Sequence, residues 1–321
     1  MIRILIILNF LFSHSWAIGL QGLVIPQSGQ ILALSGTGIA GDVDPALNPA
    51  MKVSSHPFMQ FSLNRWLGDV GGSYTLFRWG NEIPKQVSIQ SWSAKDLELW
   101  GDSPNDRPLG SFGVHWVASA FSISHHFNTP YRFGFRIQTN YSHLFTDTLS
   151  GITLDVGTIM PLGPSLTLGA VIRNIGYEYT NNLRAELPME GGIGGAVKLP
   201  FVKASILTDL LYKSDQRQEF RFGITTNWKW LNVIAGTSIS ENRNAKSLGF
   251  SFNYQRWKIN YGIYFHENSA VLGTPKFLDV RRDMATATNH TLQEGSDALG
   301  SSNNGIPPQT RTPGPATDLG G

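Results

Sequence analysis

The sequence predicts an all-β protein: a transmembrane antiparallel β-barrel of about 14 strands, with a small N-terminal plug segment and a disordered C-terminal tail. Three observations favour this class. Apolar and polar residues alternate through most of residues 58–265, which is the period of a two-faced strand. Only 15% of the chain is Asp, Glu, Lys or Arg, against about 25% in an average soluble protein. No segment is apolar over the roughly 20 residues of a membrane-spanning helix, so any crossing of a membrane must use strands.

Residues 1–17 are predicted to be a secretory signal peptide. A short basic start precedes an apolar run over residues 4–12, and Ser15 and Ala17 supply the small residues of a cleavage site. We therefore expect export, removal of the leader and a mature chain that begins at Ile18. Together with a barrel, this predicts the outer membrane of a Gram-negative-type bacterium, with outer-membrane lipid as a partner.

Residues 18–54 are predicted to form the plug segment. They contain a literal G-x-G-x-x-G at Gly36, Gly38 and Gly41, the pattern of a dinucleotide-binding turn. That function is rejected because prolines follow where the binding helix should begin, and no acidic residue lies about 20 residues beyond. Asp42 and Asp44 are interpreted as part of a solvated turn and not as a cation site.

Residues 55–283 carry the predicted barrel. The polar faces of the strands are mostly Gly, Ser, Thr, Asn and Gln, whereas the opposite faces hold bulky aromatic and aliphatic residues. We assign the polar faces to the lumen and the apolar faces to lipid. The fourteen predicted strands are residues 56–65, 69–79, 84–93, 111–124, 131–144, 150–161, 164–174, 189–199, 201–212, 217–228, 230–240, 245–256, 258–267 and 274–281.

The ends of the predicted strands carry two further signals. Tight and long connections roughly interleave, as periplasmic turns and external loops do. Gly68-Asp69 is predicted to be tight, and residues 94–109 and 174–188 are predicted to be long. Tryptophans at strand ends are assigned to the aromatic girdles of the two membrane interfaces; they are Trp66, Trp79, Trp92, Trp228 and Trp257.

Charged residues on the lumen faces are the candidate site residues of the barrel. They either orient a solute or neutralise one another inside a narrow lumen. Pairing is favoured because the signs are mixed and do not form a single-sign ring. The candidates are Arg132, Arg136, Asp155, Arg173, Lys203, Asp209, Glu219, Arg221 and Lys258.

The chain carries no recognisable catalytic or nucleic-acid-binding pattern. It has no Cys, no G-x-S-x-G and no H-E-x-x-H, and its net charge is +2 without a basic run. His125 and His126 are adjacent, so on a strand they point to opposite faces and cannot both ligate one ion. We therefore expect no enzyme activity, no cofactor, no metal site and no nucleic-acid partner.

Residues 284–321 are predicted to be a flexible tail. The segment lacks aromatic residues and is rich in Thr, Asn, Gly, Ser and Pro. Such a composition buries too little apolar surface to order itself.

The plug segment and several hairpins resemble the PorV/PorQ family. Residues 35–50 resemble its N-terminal signature, in which glycines and acidic residues lead into Asn48-Pro49-Ala50. Further similar segments follow in the family's order, so that the match runs from about residue 28 to residue 283. They are residues 63–64 with 68–74, 154–157, 166–176, 187–188, and 260–262 through 272–273. Within the family the chain looks closer to PorQ, because Gly110-Ser111-Phe112 precedes a long strand with Ala118 and Ala120.

The resemblance implies a FadL-like outer-membrane barrel of fourteen strands that is linked to type IX protein secretion and surface attachment of exported cargo. It carries over Asn48, Pro49 and Ala50 as a structural element of the plug, and no catalytic residue. The first expectation is therefore an accessory or scaffold of secretion, with secretion-system proteins or exported cargo as partners. The alternative is a FadL-like channel for uptake of hydrophobic small molecules, with an apolar pocket beneath the N-terminal segment. The residues expected to line that pocket are Leu23, Ile31, Leu32 and Leu34.

Overall fold

The structure is a computed structural model that describes most of the chain between residues 21 and 284. The described ranges are residues 21–51, 56–80, 83–99, 107–126, 130–144, 147–179, 184–185, 187–214, 217–241 and 243–284. The predicted signal peptide and the predicted tail beyond Met284 lie outside them. A membrane-crossing helix is not found in these ranges.

Fourteen strands form one closed antiparallel wall, which confirms the predicted fold class. Each strand pairs with its neighbours along the chain, and β1 pairs with β15 along its whole length to close the barrel. One further strand of two residues, β8, pairs only with the end of β7. The strands are β1 (Phe58–Arg65), β2 (Gly71–Trp79), β3 (Lys85–Leu99), β4 (Gly110–His125), β5 (Arg132–Leu144), β6 (Asp147–Pro161), β7 (Leu166–Tyr179), β8 (Arg184–Ala185), β9 (Glu190–Leu199), β10 (Ala204–Lys213), β11 (Gln218–Thr226), β12 (Leu231–Ser240), β13 (Arg243–Tyr254), β14 (Trp257–His266) and β15 (Lys276–Asp283).

The wall has an apolar outer face and a polar inner face. Strand β1 illustrates the pattern, since its residues alternate strictly between buried and exposed. Met59, Phe61 and Leu63 point outward and are exposed, whereas Gln60 and Ser62 point inward and are buried. Because side chains on a strand alternate between its two faces, this arrangement repeats around the wall. The exposed band of large apolar side chains is what a lipid-facing surface requires.

The two ends of the barrel differ. The end that carries Phe58 and Asp283 is called the turn end here, because its connections include the short segments 162–165, 200–203 and 255–256. The opposite end, called the loop end, carries the longer connections. Two of the predicted long loops are shorter than expected, because β3 continues to Leu99 and β7 continues to Tyr179. The tight connection at Gly68-Asp69 lies at the loop end, so turn length alone does not identify the end.

The predicted girdle of tryptophans is wrong for two of its members. Trp79, Trp228 and Trp257 lie at the turn end, where Trp228 and Trp257 are exposed. Trp92, in contrast, lies within β3 and points into the lumen, where it is buried. It packs in one cluster with Trp116, Tyr264 and Phe277, and Trp66 packs against the same cluster. An aromatic cluster therefore lies in the lumen toward the loop end.

Residues 21–51 lie inside the barrel as a plug. A short 3-10 helix (Gln21–Val24) precedes helix α1 (Gly29–Ala33), which is capped by the Ser28 side chain. The segment starts beside the loop-end aromatic cluster and ends at the turn end, where Ala50 and Met51 pack on Ile159 of β6. Between Gln27 and Met51 only Asp42 is exposed. A second short helix, α2 (Ser269–Leu272), lies in the connection between β14 and β15.

Inward-facing glycines of the wall make room for the plug backbone. A Cβ atom added to Gly134 of β5 would overlap the Pro49 carbonyl group, and one added to Gly236 of β12 would overlap the backbone of Leu34. Real side chains cannot approach a backbone so closely. Glycine at these positions is therefore required by the close approach of two chain segments.

We expect Gly236→Ala to loosen the plug without opening the wall. The added methyl group overlaps backbone, and overpacking of this kind costs about 1–3 kcal/mol. Protease cleavage within residues 21–51 should accelerate, while the folded barrel still shifts its gel migration on heating. Gly195→Ala is the matched control, because its new Cβ would face outward at an ordinary 3.4 Å from Thr208 Oγ1. Equal cleavage rates of the two variants would show that the plug does not require glycine at position 236.

Candidate functional site

The plug is held by hydrogen bonds from side chains of the wall, beginning at helix α1. The Asp279 carboxylate of β15 accepts hydrogen bonds from the backbone N–H groups of Gly29 (2.8 Å) and Gln30 (3.3 Å). The amide of Asn260 donates to the same carboxylate over 3.2 Å. The first N–H groups of a helix have no partner within the helix, so a wall carboxylate completes the start of α1.

A second carboxylate of the wall holds the glycine-rich turn of the plug. Asp209, a candidate lumen charge on β10, accepts hydrogen bonds from Gly38 N (2.6 Å) and Ile39 N (3.1 Å). Gly38 has a φ of 142°, a conformation that side chains rarely permit. The predicted site residues Gly38 and Asp209 thus act together, with one supplying the turn and the other binding its backbone.

Asn48 joins two parts of the plug to the wall near the turn end. Its Nδ2 donates to the carbonyl oxygens of Ile39 (2.8 Å) and Thr158 (3.1 Å). Its Oδ1 accepts from Ala50 N over 3.0 Å. The next residue, Pro49, lies against Gly134 of the wall. The Asn48-Pro49-Ala50 motif therefore performs a structural task, because one amide side chain satisfies three backbone groups.

The two acidic residues of the plug differ in environment. Asp42 is exposed, as a solvated turn would require, but Asp44 is only 6% exposed, so the interpretation as a solvated turn is wrong for Asp44. Its Oδ1 accepts a hydrogen bond from Ala46 N over 2.9 Å. Burial raises the pKa of Asp44 from 3.8 to about 6, although that hydrogen bond and the nearby Arg136 and Arg78 act in the opposite direction.

Five of the candidate lumen charges form ion pairs, in three groups that also include Glu190 and Lys213, which were not predicted. Arg136 of β5 binds Asp155 of β6 over 2.8 Å, and Arg173 of β7 binds Glu190 of β9 over 2.6 Å. In the third group, Glu219 of β11 accepts from both Arg221 (2.7 Å) and Lys213 (2.5 Å). Opposite charges thus meet on neighbouring inward positions of the wall.

Two of the paired arginines also bind the plug, and the remaining candidate charges lie apart from the ion pairs. Arg221 donates to Gly36 O over 3.0 Å, and Arg173 donates to Ala46 O over 3.2 Å. Lys258 Nζ donates to Gln30 Oε1 over 3.3 Å. Arg132 begins β5 at the turn end and is half-buried. Lys203, predicted to face the lumen, instead lies exposed in the turn before β10.

A cavity of about 480 Å³ opens between the plug and the wall at the loop end. One side of the cavity is apolar and includes Leu23, Ile25, Trp66 and Tyr264. The other side carries the charged groups around Arg173 and Glu219. Its apolar lining agrees only in part with the expected pocket, since Leu23 and Ile31 line it.

Leu32 and Leu34 do not line the loop-end cavity, because they pack directly on the wall in two core clusters. The sequence missed Trp66 as a lining residue, since strand-end position suggested the membrane interface. Trp92 was also wrongly assigned to the girdle. The alternation of side chains between the two faces of β3 could have placed it in the lumen. It shares its face of β3 with Gln86, Ser88 and Gln90.

A smaller cavity of about 260 Å³ lies on the turn-end side of the plug. It is lined by Asp42 and Asp44 of the plug and by Arg78, Lys258 and Arg281 of the wall. Arg78 and Arg281 were not among the predicted site residues. The Arg281 guanidinium lies 3.7 Å from the centre of the Phe58 ring. Its Nε donates a hydrogen bond to Asp283 Oδ1 over 2.8 Å.

The outer wall carries an apolar groove of about 590 Å³ across β5 to β11. Bulky outward residues, among them Phe133, Leu168 and Phe220, form its sides. Its floor is made of small outward residues such as Ala170 and Gly195. The groove belongs to the lipid-facing surface and is distinct from the two lumenal cavities.

The described residues contain no group of three or more His, Cys, Asp or Glu arranged to hold a metal ion.

Comparison with known proteins finds relatives by fold. No protein-family model and no curated protein matches the chain. Among solved structures, the toluene transporter TbuX of Ralstonia pickettii is 11% identical with a TM-score of 0.61, over 80% of this chain and 98% of that chain. The P. putida toluene transporter TodX is 10% identical with a TM-score of 0.63, over 81% and 99%. A Pseudomonas aeruginosa FadL homologue is 10% identical with a TM-score of 0.58, over 81% and 99%. The fold is therefore FadL-like, as the family resemblance implied.

We expect the plug to be more stable at acidic pH because of Asp44. Its pKa of about 6 in the folded protein exceeds 3.8, so the folded state holds a proton that the unfolded plug releases. The stabilisation is present below about pH 4 and is lost as the pH rises through about 6. Because the chain has no Cys, Ala40→Cys provides a unique buried reporter, and its maleimide labelling should accelerate across this range.

The same reporter in an Asp44→Asn background is the control for this pH dependence. Asn cannot ionise but retains the oxygen that accepts from Ala46 N. After correction for the reactivity of the thiol, its labelling rate should change less with pH than that of the protein that retains Asp44. The assignment to Asp44 would be wrong if both proteins showed the same pH profile.

Proposed function

We propose that this chain is an outer-membrane barrel that binds hydrophobic small molecules at its loop end and passes them inward. The loop-end cavity is the observation that carries the proposal. Its volume of about 480 Å³ falls within the roughly 300–1,000 Å³ of small-molecule sites. Its aromatic side offers the ring contacts that apolar ligands favour. The FadL-like fold and the hydrocarbon transporters that share it support the same function.

The position of the cavity suits uptake from outside. In outer-membrane barrels the short turns face the periplasm and the longer loops face outward. The loop-end cavity would then face the exterior, and the plug would stand between it and the periplasm. Leu23 and Ile25 contact the aromatic cluster, and Asn64 Nδ2 donates to Gln27 O over 3.1 Å. Passage of a ligand would begin by displacing this first part of the plug.

The test is ligand binding and uptake by reconstituted protein with a filled cavity. Val70→Trp places a large side chain against the apolar side and should weaken binding of radiolabelled toluene or oleate by at least about tenfold, a loss of 1.4 kcal/mol. Gly195→Leu fills the outer groove instead and should leave binding unchanged. Loss of binding in Gly195→Leu with normal binding in Val70→Trp would place the ligand on the outer wall and contradict the proposal.

A role as a non-catalytic accessory of type IX-like secretion is the second candidate. The resemblance of residues 35–50 to the PorV/PorQ signature favours it, and so does a plug bound at many points, which suits a scaffold better than a permanently open channel. Secretion-system proteins or exported cargo would be its partners. Deletion of the gene separates the two functions: a transporter predicts loss of toluene or oleate uptake, and a scaffold predicts loss of surface display of exported proteins.

A further inference from the structure

The lumen beside the plug contains buried polar side chains whose hydrogen-bonding capacity is unused. On β3, both Gln90 Nε2 and Gln90 Oε1 lack a partner among the described residues, and Gln90 is 3% exposed. Trp116 Nε1, Arg136 Nε and Arg173 Nε are likewise buried without a partner within the described ranges. Leaving such a buried group without a hydrogen bond destabilises the fold. Several together indicate that water reaches them.

These atoms surround a small cavity that we call the neck. It has a volume of about 30 Å³ and is lined by Gln90, Trp116, Arg136 and Arg173 of the wall and by Ala46 of the plug, among others. A buried water needs about 10–15 Å³ and two to four polar partners. The neck meets both requirements, so its size and chemistry fit water and exclude a hydrocarbon.

The neck adjoins the loop-end cavity. Both cavities are lined by Leu23, Gln27, Ala46, Arg173 and Glu190. The five shared lining residues place the two spaces next to each other, with only these side chains between them.

The neck is separated from the turn-end cavity by a thin barrier. Along the plug, Pro45 lines the turn-end cavity and the next residue, Ala46, lines the neck. Along the wall, Tyr74 is the register partner of Gln90, and Leu76, the next inward residue on β2, lines the turn-end cavity. Tyr74 is fully buried. Tyr74 lines neither cavity, and its position on β2 between the level of Gln90 and Leu76 places its side chain between them.

We propose that the three cavities form a polar path for water and small ions through the barrel, with Tyr74 as its barrier. The path shares the loop-end cavity with the proposed hydrophobic site and leaves it at the neck, so water and ion flux can be tested without a hydrophobic ligand. Its charges are paired at the neck, where Arg136 meets Asp155 and Arg173 meets Glu190. Rings of one sign set ion selectivity, so a path with paired charges discriminates weakly between cations and anions.

The test compares two substitutions of fully buried lumenal aromatic residues. Tyr74→Ala removes the barrier and should raise both the osmotic water permeability of proteoliposomes and the KCl conductance of planar bilayers several-fold over wild type. Phe277→Ala is the matched control, because Phe277 is equally buried and points inward but packs in the aromatic cluster, whereas Tyr74 packs with Phe58 and Leu76 of the turn-end cavity. Its permeability should remain near that of wild type.

A milder pair keeps the proposal testable if Tyr74→Ala does not fold. Gln90→Ala removes the side chain beside Tyr74 on the neighbouring strand without removing any side-chain hydrogen bond between described residues, so it loosens the barrier and should raise water permeability. Gln86→Ala is its control on the same strand, since Gln86 is also 3% exposed but lies outside the neck. Equal permeability of the two members of either pair would overturn the proposal, as would ion flux with strong preference for one sign of charge.

Discussion

Hydrogen bonds from the wall to the backbone of the plug are the interaction on which the rest of the structure depends. A barrel of this size encloses a lumen that the inward side chains alone do not fill, and the plug fills it with a segment that has little regular secondary structure. The backbone groups of such a segment need partners once they are buried. Asp279 and Asp209 supply them for the start of α1 and for the turn at Gly38, and Asn48 supplies them near the turn end. Without these side chains, burying the plug would leave its N–H and C=O groups unsatisfied.

The same constraint explains part of the glycine content of the chain. Backbone-to-backbone approach requires positions without a side chain, and the inward glycines Gly134 and Gly236 provide them on opposite parts of the wall. The plug and the wall are therefore complementary in shape as well as in hydrogen bonding. Where this complementarity is looser, beside Gln90 and Arg136, polar atoms remain without protein partners among the described residues. The tight contacts and the proposed water path are thus two results of one packing arrangement.

Much of the fold could be predicted because the barrel imposes a period of two on the sequence. Polar and apolar faces alternate in strands such as β5, and this alternation was enough to count the strands of the wall. Strand lengths were less predictable, since β3 and β7 extend beyond the lipid-facing band into segments whose polar composition resembles loops. The side to which Trp66 points also could not be predicted from the neighbouring sequence, because a tryptophan at a strand end fits either a membrane interface or a lumenal cluster.

The candidate site was less predictable than the fold. Which inward carboxylates pair with arginine and which bind the plug depends on the path of residues 21–51, and no short-range pattern encodes that path. Asp155 and Asp209 both occupy inward positions of strands, yet Asp155 pairs with Arg136 and Asp209 binds the plug backbone.

The central claim is that wall carboxylates hold the plug in the lumen, and labelling of a buried plug residue tests it most directly. With Ala40→Cys supplying the only thiol, maleimide should label the folded protein very slowly. Asp209→Asn should accelerate labelling, because the hydrogen bonds from Gly38 N and Ile39 N would then go to a neutral amide oxygen and be weaker than those to the carboxylate. Asp283→Asn, which changes a carboxylate at the turn end away from the plug, should leave the rate near that of wild type. Rapid labelling of the Ala40→Cys thiol in the otherwise unchanged protein, or equal rates in the two carboxylate variants, would contradict the account.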